Sequence, residues 1–190
     1  MSEPEKEEKE DDSHPYRRPK DAATLILVDR SGSVPKVLVG KRHDKVIFMP
    51  GKFVFPGGRV DRGDNRVRAA TPMRAEVAEL LARKTTPARA RGPVPAAVRE
   101  PFEETGLIVG APDPQPRRPA PANWRPFFAT GMAPSFAAIT YVARAVTPAW
   151  QPIRFNARFF MIEAGHVSGD LGGSGELLDL TFVPIGGTDG

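Results

Sequence analysis

The chain has 190 residues, 27 Lys+Arg against 23 Asp+Glu for a formal charge of +4, 21 prolines, 18 glycines and no cysteine. Without cysteine there is no disulfide scaffold, thiolate zinc site, haem thioether link or cysteine nucleophile, and no apolar run approaches the ~18 residues of a membrane span. The length suits one domain, and the charged first residues lack the apolar core of a signal peptide. The expectation is a cytoplasmic protein with no membrane partner, whose sequence pI of about 9.6 leaves phosphate-rich ligands and nucleic acid open.

Residues 1–20 mix Glu3, Glu5, Glu7, Glu8, Glu10, Asp11 and Asp12 with Lys6 and Lys9 and repeat nothing apolar. Such a segment buries too little to offset its ordering entropy, which predicts a disordered charged tail ahead of a domain over 21–190. Ala22 to Asp29 and Val34 to Gly40 read as two strands joined by a turn at Asp29-Arg30-Ser31-Gly32. Phe53-Val54-Phe55 is a third strand piece, stopped by Pro56-Gly57-Gly58.

An insertion-like segment over 65–95 carries seven basic residues, among them Arg66, Arg68, Lys84 and Arg91, against only Glu76 and Glu79. Within it Thr71-Pro72, followed by Met73, Val77, Leu80 and Leu81 at helical spacing, predicts an amphipathic helix over about 72–84. The Pro-rich stretch Thr86 to Pro95 is expected to break the chain before a second helix, Ala96 to Thr105, closed by Gly106. Ala111 to Asn123, with five prolines, reads as a loop, and Ala137–Ala145, Ala157–Ile162 and Leu177–Pro184 as three further strands.

The densest chemistry is Arg99-Glu100-Pro101-Phe102-Glu103-Glu104-Thr105-Gly106-Leu107. On a helix, positions 100, 103 and 104 share one face, where three carboxylates repel unless a cation sits among them. Hard oxygens in such a cluster suit Mg²⁺ or Mn²⁺; the plain alternative is a solvated acidic face.

With a Gly-Gly turn after a strand upstream, these residues resemble the Nudix hydrolase family, whose signature reads G-x5-E-x7-R-E-U-x-E-E-x-G-U with U bulky and aliphatic. Gly58 takes the first glycine, Asp64 stands where the family has Glu, and Arg99, Glu100, Glu103, Glu104, Gly106 and Leu107 fill the second half. The chain departs twice. Asp64 and Arg99 are 35 residues apart, where the family spacing is about 8, so the basic segment is inserted mid-signature in a loop whose closure cost rises slowly with length. Pro101 replaces an aliphatic residue and costs ~3 kcal/mol in a helix interior, which predicts a helix starting near Arg99 with Pro101 in its first turn.

The resemblance implies an α/β/α sandwich around a mixed β-sheet, and an enzyme that hydrolyses a nucleoside diphosphate linked to another group with Mg²⁺ or Mn²⁺. It makes Glu103 and Glu104 metal ligands, Glu100 a ligand or base, the Gly57 carbonyl a further ligand, and Arg99 the residue that orients the carboxylates and pairs with Asp64. In some family members the general base lies on a later loop, where Glu163 and Glu176 are the candidates.

Gly51-Lys52-Phe53-Val54-Phe55-Pro56-Gly57-Gly58, with Arg42 upstream, resembles the end of the motif of coenzyme A diphosphatases, though Ile47 falls where a second arginine belongs. Thr147-Pro148 and Arg154-Phe155-Asn156-Ala157-Arg158-Phe159-Phe160 resemble a subgroup containing the mammalian peroxisomal CoA diphosphatase type and bacterial relatives that carry insertions. The implied substrate is CoA or acyl-CoA, with Arg42, Arg154 and Arg158 binding its phosphates; Arg154 and Arg158 equally suit a sheet rim. The alternatives are an ADP-ribose or dinucleotide pyrophosphatase, and a non-catalytic RNA-binding module, although nucleic acid is not the expected partner. His14, His43 and His166 read as isolated surface residues. The last six residues, Ile185 to Gly190, cannot form the helix that usually closes this fold, which leaves a sheet face for the inserted helix or for a second subunit in a homodimer.

Overall fold

The structure is a computed structural model that describes residues 18–46, 49–83, 85–113, 120–172 and 175–186. The expected tail up to residue 17, His14, Ile47, Lys84, residues 114–119 and the last four residues lie outside the described residues.

The first hairpin forms as expected. β1 (Lys20–Asp29) and β2 (Lys36–Arg42) pair antiparallel with Val28 opposite Val37, and Asp29 Oδ1 accepts from the Ser31 amide at 2.9 Å to shape the turn. β3 (Phe53–Val54) adds to β2, and β4 (Gly57–Arg59) pairs with the first half of β1, Thr24 facing Gly57. β1 then finds a parallel partner 135 residues on: β8 (Phe155–Glu163) runs beside it from Lys20–Phe155 to Val28–Glu163. β7 (Thr140–Val146) lies outside β8, and β9 (Leu177–Pro184) pairs antiparallel with β2. The sheet is therefore mixed and seven-stranded, β3-β2-β1-β8-β7 with β4 on β1 and β9 on β2. A hairpin of β5 (Gly110–Pro112) and β6 (Met132–Pro134), absent from the sequence reading, stands apart from it.

The inserted segment is more helical than its prolines suggest. α1 (Ala75–Ala82) is shorter than expected, because Thr71 and Pro72 are not its cap: the Thr71 and Ser135 hydroxyls bond each other and α1 begins after Arg74. The expected breaker instead starts two helices. Thr86 accepts from the Arg89 amide and caps α2 (Pro87–Arg91), and Gly92-Pro93 opens α3 (Pro93–Thr105), since a proline in the first helical turn gives up no internal bond. Pro101 therefore sits in the interior of α3, not in its first turn. Gly106, at φ 78°, ends the helix in the left-handed conformation. α4 (Arg125–Ala129) follows a short 3-10 turn, Ala122–Trp124.

One face of the sheet carries the main core. Leu25, Leu27, Leu38, Phe160 and Ile162 meet Val94, Ala97 and Val98 of α3, Phe127 of α4, and Val77 and Leu81 of α1. The opposite face holds Val28, Val37 and Val39 with Ile26, Phe55, Met161 and Val183, and no helical residue belongs to that cluster. The inserted helix thus joins the α3 side and leaves the second face as it was. Among the described residues no helix follows β9, and none is long and apolar enough to cross a membrane.

Candidate active site

The site forms where the Gly57-Gly58 turn passes between β1 and α3. A Cβ on Gly57, whose φ is 151°, would stand 2.3 Å from the Ala23 carbonyl oxygen, and one on Gly58 would stand 2.3 Å from Glu100 Oε2. Two glycines let the backbone run against the helix, and the Gly57 amide donates to Glu104 Oε2 at 2.8 Å.

Arg99 is the hub. Its guanidinium is 3% exposed and reaches Asp64 through Nε–Oδ1 at 2.9 Å and Nη2–Oδ2 at 3.1 Å. Nη2 also meets Glu100 Oε1 at 2.9 Å and the Arg59 carbonyl at 3.0 Å, and Nη1 meets Glu103 Oε2 at 3.0 Å. The shorter Asp64 side chain reaches the pair because it rides on a 3-10 turn, Asp64–Arg66. Burial works against the Arg99 charge, but the Asp64 hydrogen bonds and the Asp64, Glu100 and Glu103 charges outweigh it and hold the pKa above the ordinary value.

The three glutamates differ. Glu104 is buried; desolvation raises its pKa to about 8, and the charges of Glu100 and Glu176 add to the rise against the Gly57 amide and Arg42. Glu100, also desolvated, rises to about 7 against the attraction of Arg99. Glu103 rises as well by desolvation, but its side chain is 37% exposed and turned to Arg99. Among the described residues no three carboxylates or histidines converge as a ready-made cage. Mg²⁺ commonly takes one or two carboxylates and keeps waters. Buried Glu104 and half-buried Glu100, one turn apart on α3, are a hard-oxygen donor set of that size, so the residues fit the implied cation.

The other sequence candidates divide. Arg42 and Glu176 bear electrostatically on Glu104, and the buried Arg42 Nε has no hydrogen-bond partner among the described residues. Glu163 is not brought in: it sits opposite Val28, four residues or roughly 13 Å along β1 from Thr24, and pairs at 3.0 Å with exposed Arg30. Arg158, 3% exposed, bonds Asp21 at 3.2 Å, and Arg154 lies just before β8 with its Nε on the Thr147 carbonyl at 3.1 Å. Both arginines are buried against these partners within the protein.

Two contacts were beyond the sequence reading. Arg89 of α2 forms a two-pronged pair with Asp21, both bonds 2.9 Å, which ties the insertion to β1 beside Arg158 and Asn156. Trp124, 0% exposed, donates its indole N–H to Asp64 Oδ1 at 2.8 Å. Neither partner carries a motif signal, since Trp124 lies 60 residues from Asp64.

No family model and no curated protein matches the chain. Among solved structures, a NUDIX hydrolase from Alicyclobacillus acidocaldarius superposes with a TM-score of 0.65 at 27% identity, over 88% of this chain and 79% of that one. The chain has the Nudix hydrolase fold. Nudix hydrolases act on acid anhydrides, and this chain is similar to them in fold. A MutT NUDIX hydrolase from Burkholderia pseudomallei (TM-score 0.48, 18% identity, 88% and 84% covered) superposes less closely. So does the NUDIX domain of Shewanella oneidensis NrtR, solved with ADP ribose (0.47, 10%, 89% and 75%).

Proposed function

We infer that this Nudix-fold enzyme hydrolyses the diphosphate bond of a nucleotide-linked substrate, with Mg²⁺ or Mn²⁺ held by Glu100 and Glu104 and by the Gly57 carbonyl. The observation that carries this is buried Glu104 and half-buried Glu100, side by side on α3 beside the Arg99 clamp. Burial raises both carboxyls, to about 7 and about 8, a cost that a cation between hard oxygens offsets by favouring their charged form. The bound cation neutralises phosphate oxygens and makes water a better nucleophile.

The chain's own groups supply the rest. Arg99 holds Glu100 and Glu103 in place, and the guanidinium of Arg42, whose charge bears on Glu104, donates to a phosphate oxygen in a charge-assisted bond. Glu176, whose charge already reaches Glu104, is the group that accepts the proton of the attacking water. CoA or acyl-CoA heads the substrate classes on the Phe55-Pro56-Gly57-Gly58 and Arg42 motif; ADP-ribose and dinucleotides follow. The RNA-binding reading loses support because Arg74 and Arg89 of the basic segment are engaged by Glu76 and Asp21.

The test is purified protein with Mg²⁺ or Mn²⁺ against CoA, acyl-CoA, ADP-ribose, NADH and nucleoside diphosphate sugars, with products separated by chromatography. Turnover of one class, lost in Glu104→Gln, supports the reading; no turnover of any compound overturns it.

A further inference from the structure

Asp64 is 1% exposed, and both of its oxygens are fully engaged. Oδ2 accepts from Arg99 Nη2 at 3.1 Å and from the Asp61 amide at 2.8 Å; Oδ1 accepts from Arg99 Nε at 2.9 Å and from the Trp124 indole at 2.8 Å. The same short segment grips the site at two more points. Asn123 packs so closely on Gly63 that a Cβ there would stand 2.3 Å from its Oδ1. The Phe127 ring, 5.3 Å from that of Trp124, lies edge-on at 5.1 Å to Phe102, which stands on α3 between Glu100 and Glu103.

We propose that Trp124 is a positioning residue for the carboxylate site, acting through Asp64 and Arg99 on Glu100 and Glu103. The geometry explains why an indole is needed and not merely a large ring. An aspartate is one methylene shorter than a glutamate, so a carboxylate held by Arg99 alone keeps freedom to swing about its short stem. The indole N–H gives Oδ1 a second donor besides Arg99 Nε and so fixes the guanidinium plane, and that plane aims Nη1 at Glu103 and Nη2 at Glu100. A phenylalanine keeps an aromatic ring in the core, though a smaller one, and leaves Oδ1 with one donor fewer in a buried place, where a lost partner is costly.

The proposal rests on the diphosphatase reading only for the cation, so the experiment reads the clamp separately. Trp124→Phe and the packing control Val28→Ala, on the opposite face of the sheet, are compared with wild type by thermal melting, by Mn²⁺ titration followed by electron paramagnetic resonance, and by solvent exchange of the Arg99 Nε–H in nitrogen-15 spectra. Trp124→Phe is expected to bind Mn²⁺ about tenfold more weakly, the scale for partners that orient a ligand, and to exchange its Arg99 Nε–H faster. Val28→Ala melts lower with wild-type Mn²⁺ affinity. Wild-type Mn²⁺ affinity and Arg99 protection in Trp124→Phe overturn the proposal. If that variant does not fold, the Trp124 Nε1–H resonance of wild type must shift together with that of Arg99 Nε–H as Mg²⁺ is added, and a Trp124 signal that stays still overturns it. A wild type that binds no Mn²⁺ sinks the diphosphatase reading, and Trp124 is then judged on Arg99 protection alone.

Discussion

The Glu100 carboxylate rests on the Cα of Gly58, leaving 2.3 Å between its Oε2 and the place where any Cβ would stand. The glycine is therefore part of the carboxylate's seat. Gly58→Ala pushes the far end of a movable side chain, so the fold survives with a melting point within a few degrees of wild type. A misplacement of about 1 Å at a reacting centre costs roughly 10²-fold in rate, and kcat is expected to fall on that scale. Steady-state kinetics beside thermal melts check both halves.

The two desolvated glutamates, Glu100 and Glu104, set a pH dependence whose sign is fixed. Their carboxyls titrate near 4.5 when unfolded and at about 7 and about 8 in the fold. Between those values the folded state binds more protons, so the stability linked to them is full below pH 4.5 and is lost as pH rises through 7 and 8. Metal-free protein is expected to melt lower at pH 8.5 than at pH 6, with Mg²⁺ narrowing the gap and Glu104→Gln flattening it. Melting points that climb over this range would sink the assignment. Asp21, held below its ordinary value by Arg89, Arg158 and Asn156 against the cost of burial, acts in the opposite sense, and only in acid.

Asp21 also offers a stability test. Asp21→Asn leaves the Arg158 guanidinium, 3% exposed, without its counter-charge, and an unpaired buried charge costs about 3 kcal/mol. Arg89→Ala removes a side chain that is 36% exposed and is expected to cost about 1 kcal/mol. Urea unfolding of both variants gives the ratio, and equal losses would argue against Arg158 as the reason.

Glu176→Gln and Glu163→Gln separate the two base candidates. Losing a general base costs about 10²-fold or more in kcat, which is the expectation for Glu176. Glu163→Gln loses only its exposed pair with Arg30 and is expected to turn over at the wild-type rate. The reverse result would move the base to the far end of β8.

The strands and the carboxylate helix could be read from the sequence because each is a local pattern. β1, β2 and β9 are apolar runs, and α3 ends on a glycine that its φ of 78° requires. What was hidden depends on partners distant in the chain. The prolines of 87–95 looked like breakers because the same residue ends a helix from within and begins one from its first turn. Arg154 and Arg158 suit either phosphate ligands or a sheet rim by sequence, because strand spacing tells which residues share a face, not whether Asp21 or the Thr147 carbonyl waits there. Pro101 was legible as a cost, yet its place eight residues into α3 was not.

The parallel pairing of β1 with β8 has a consequence for how the chain is made. Lys20 meets Phe155 and Val28 meets Glu163, so the middle of the sheet joins one of its earliest described residues to residues synthesised much later. Until Glu163 has left the ribosome, β1 has only its neighbours β2 and β4 along part of its length, and Leu25 and Leu27 await Phe160 and Ile162. Pairings across such long stretches are slow to form because the loop must close before any contact rewards it. Newly made molecules therefore complete their centre last, and an unfinished chain displays an apolar strand that any passing edge can join.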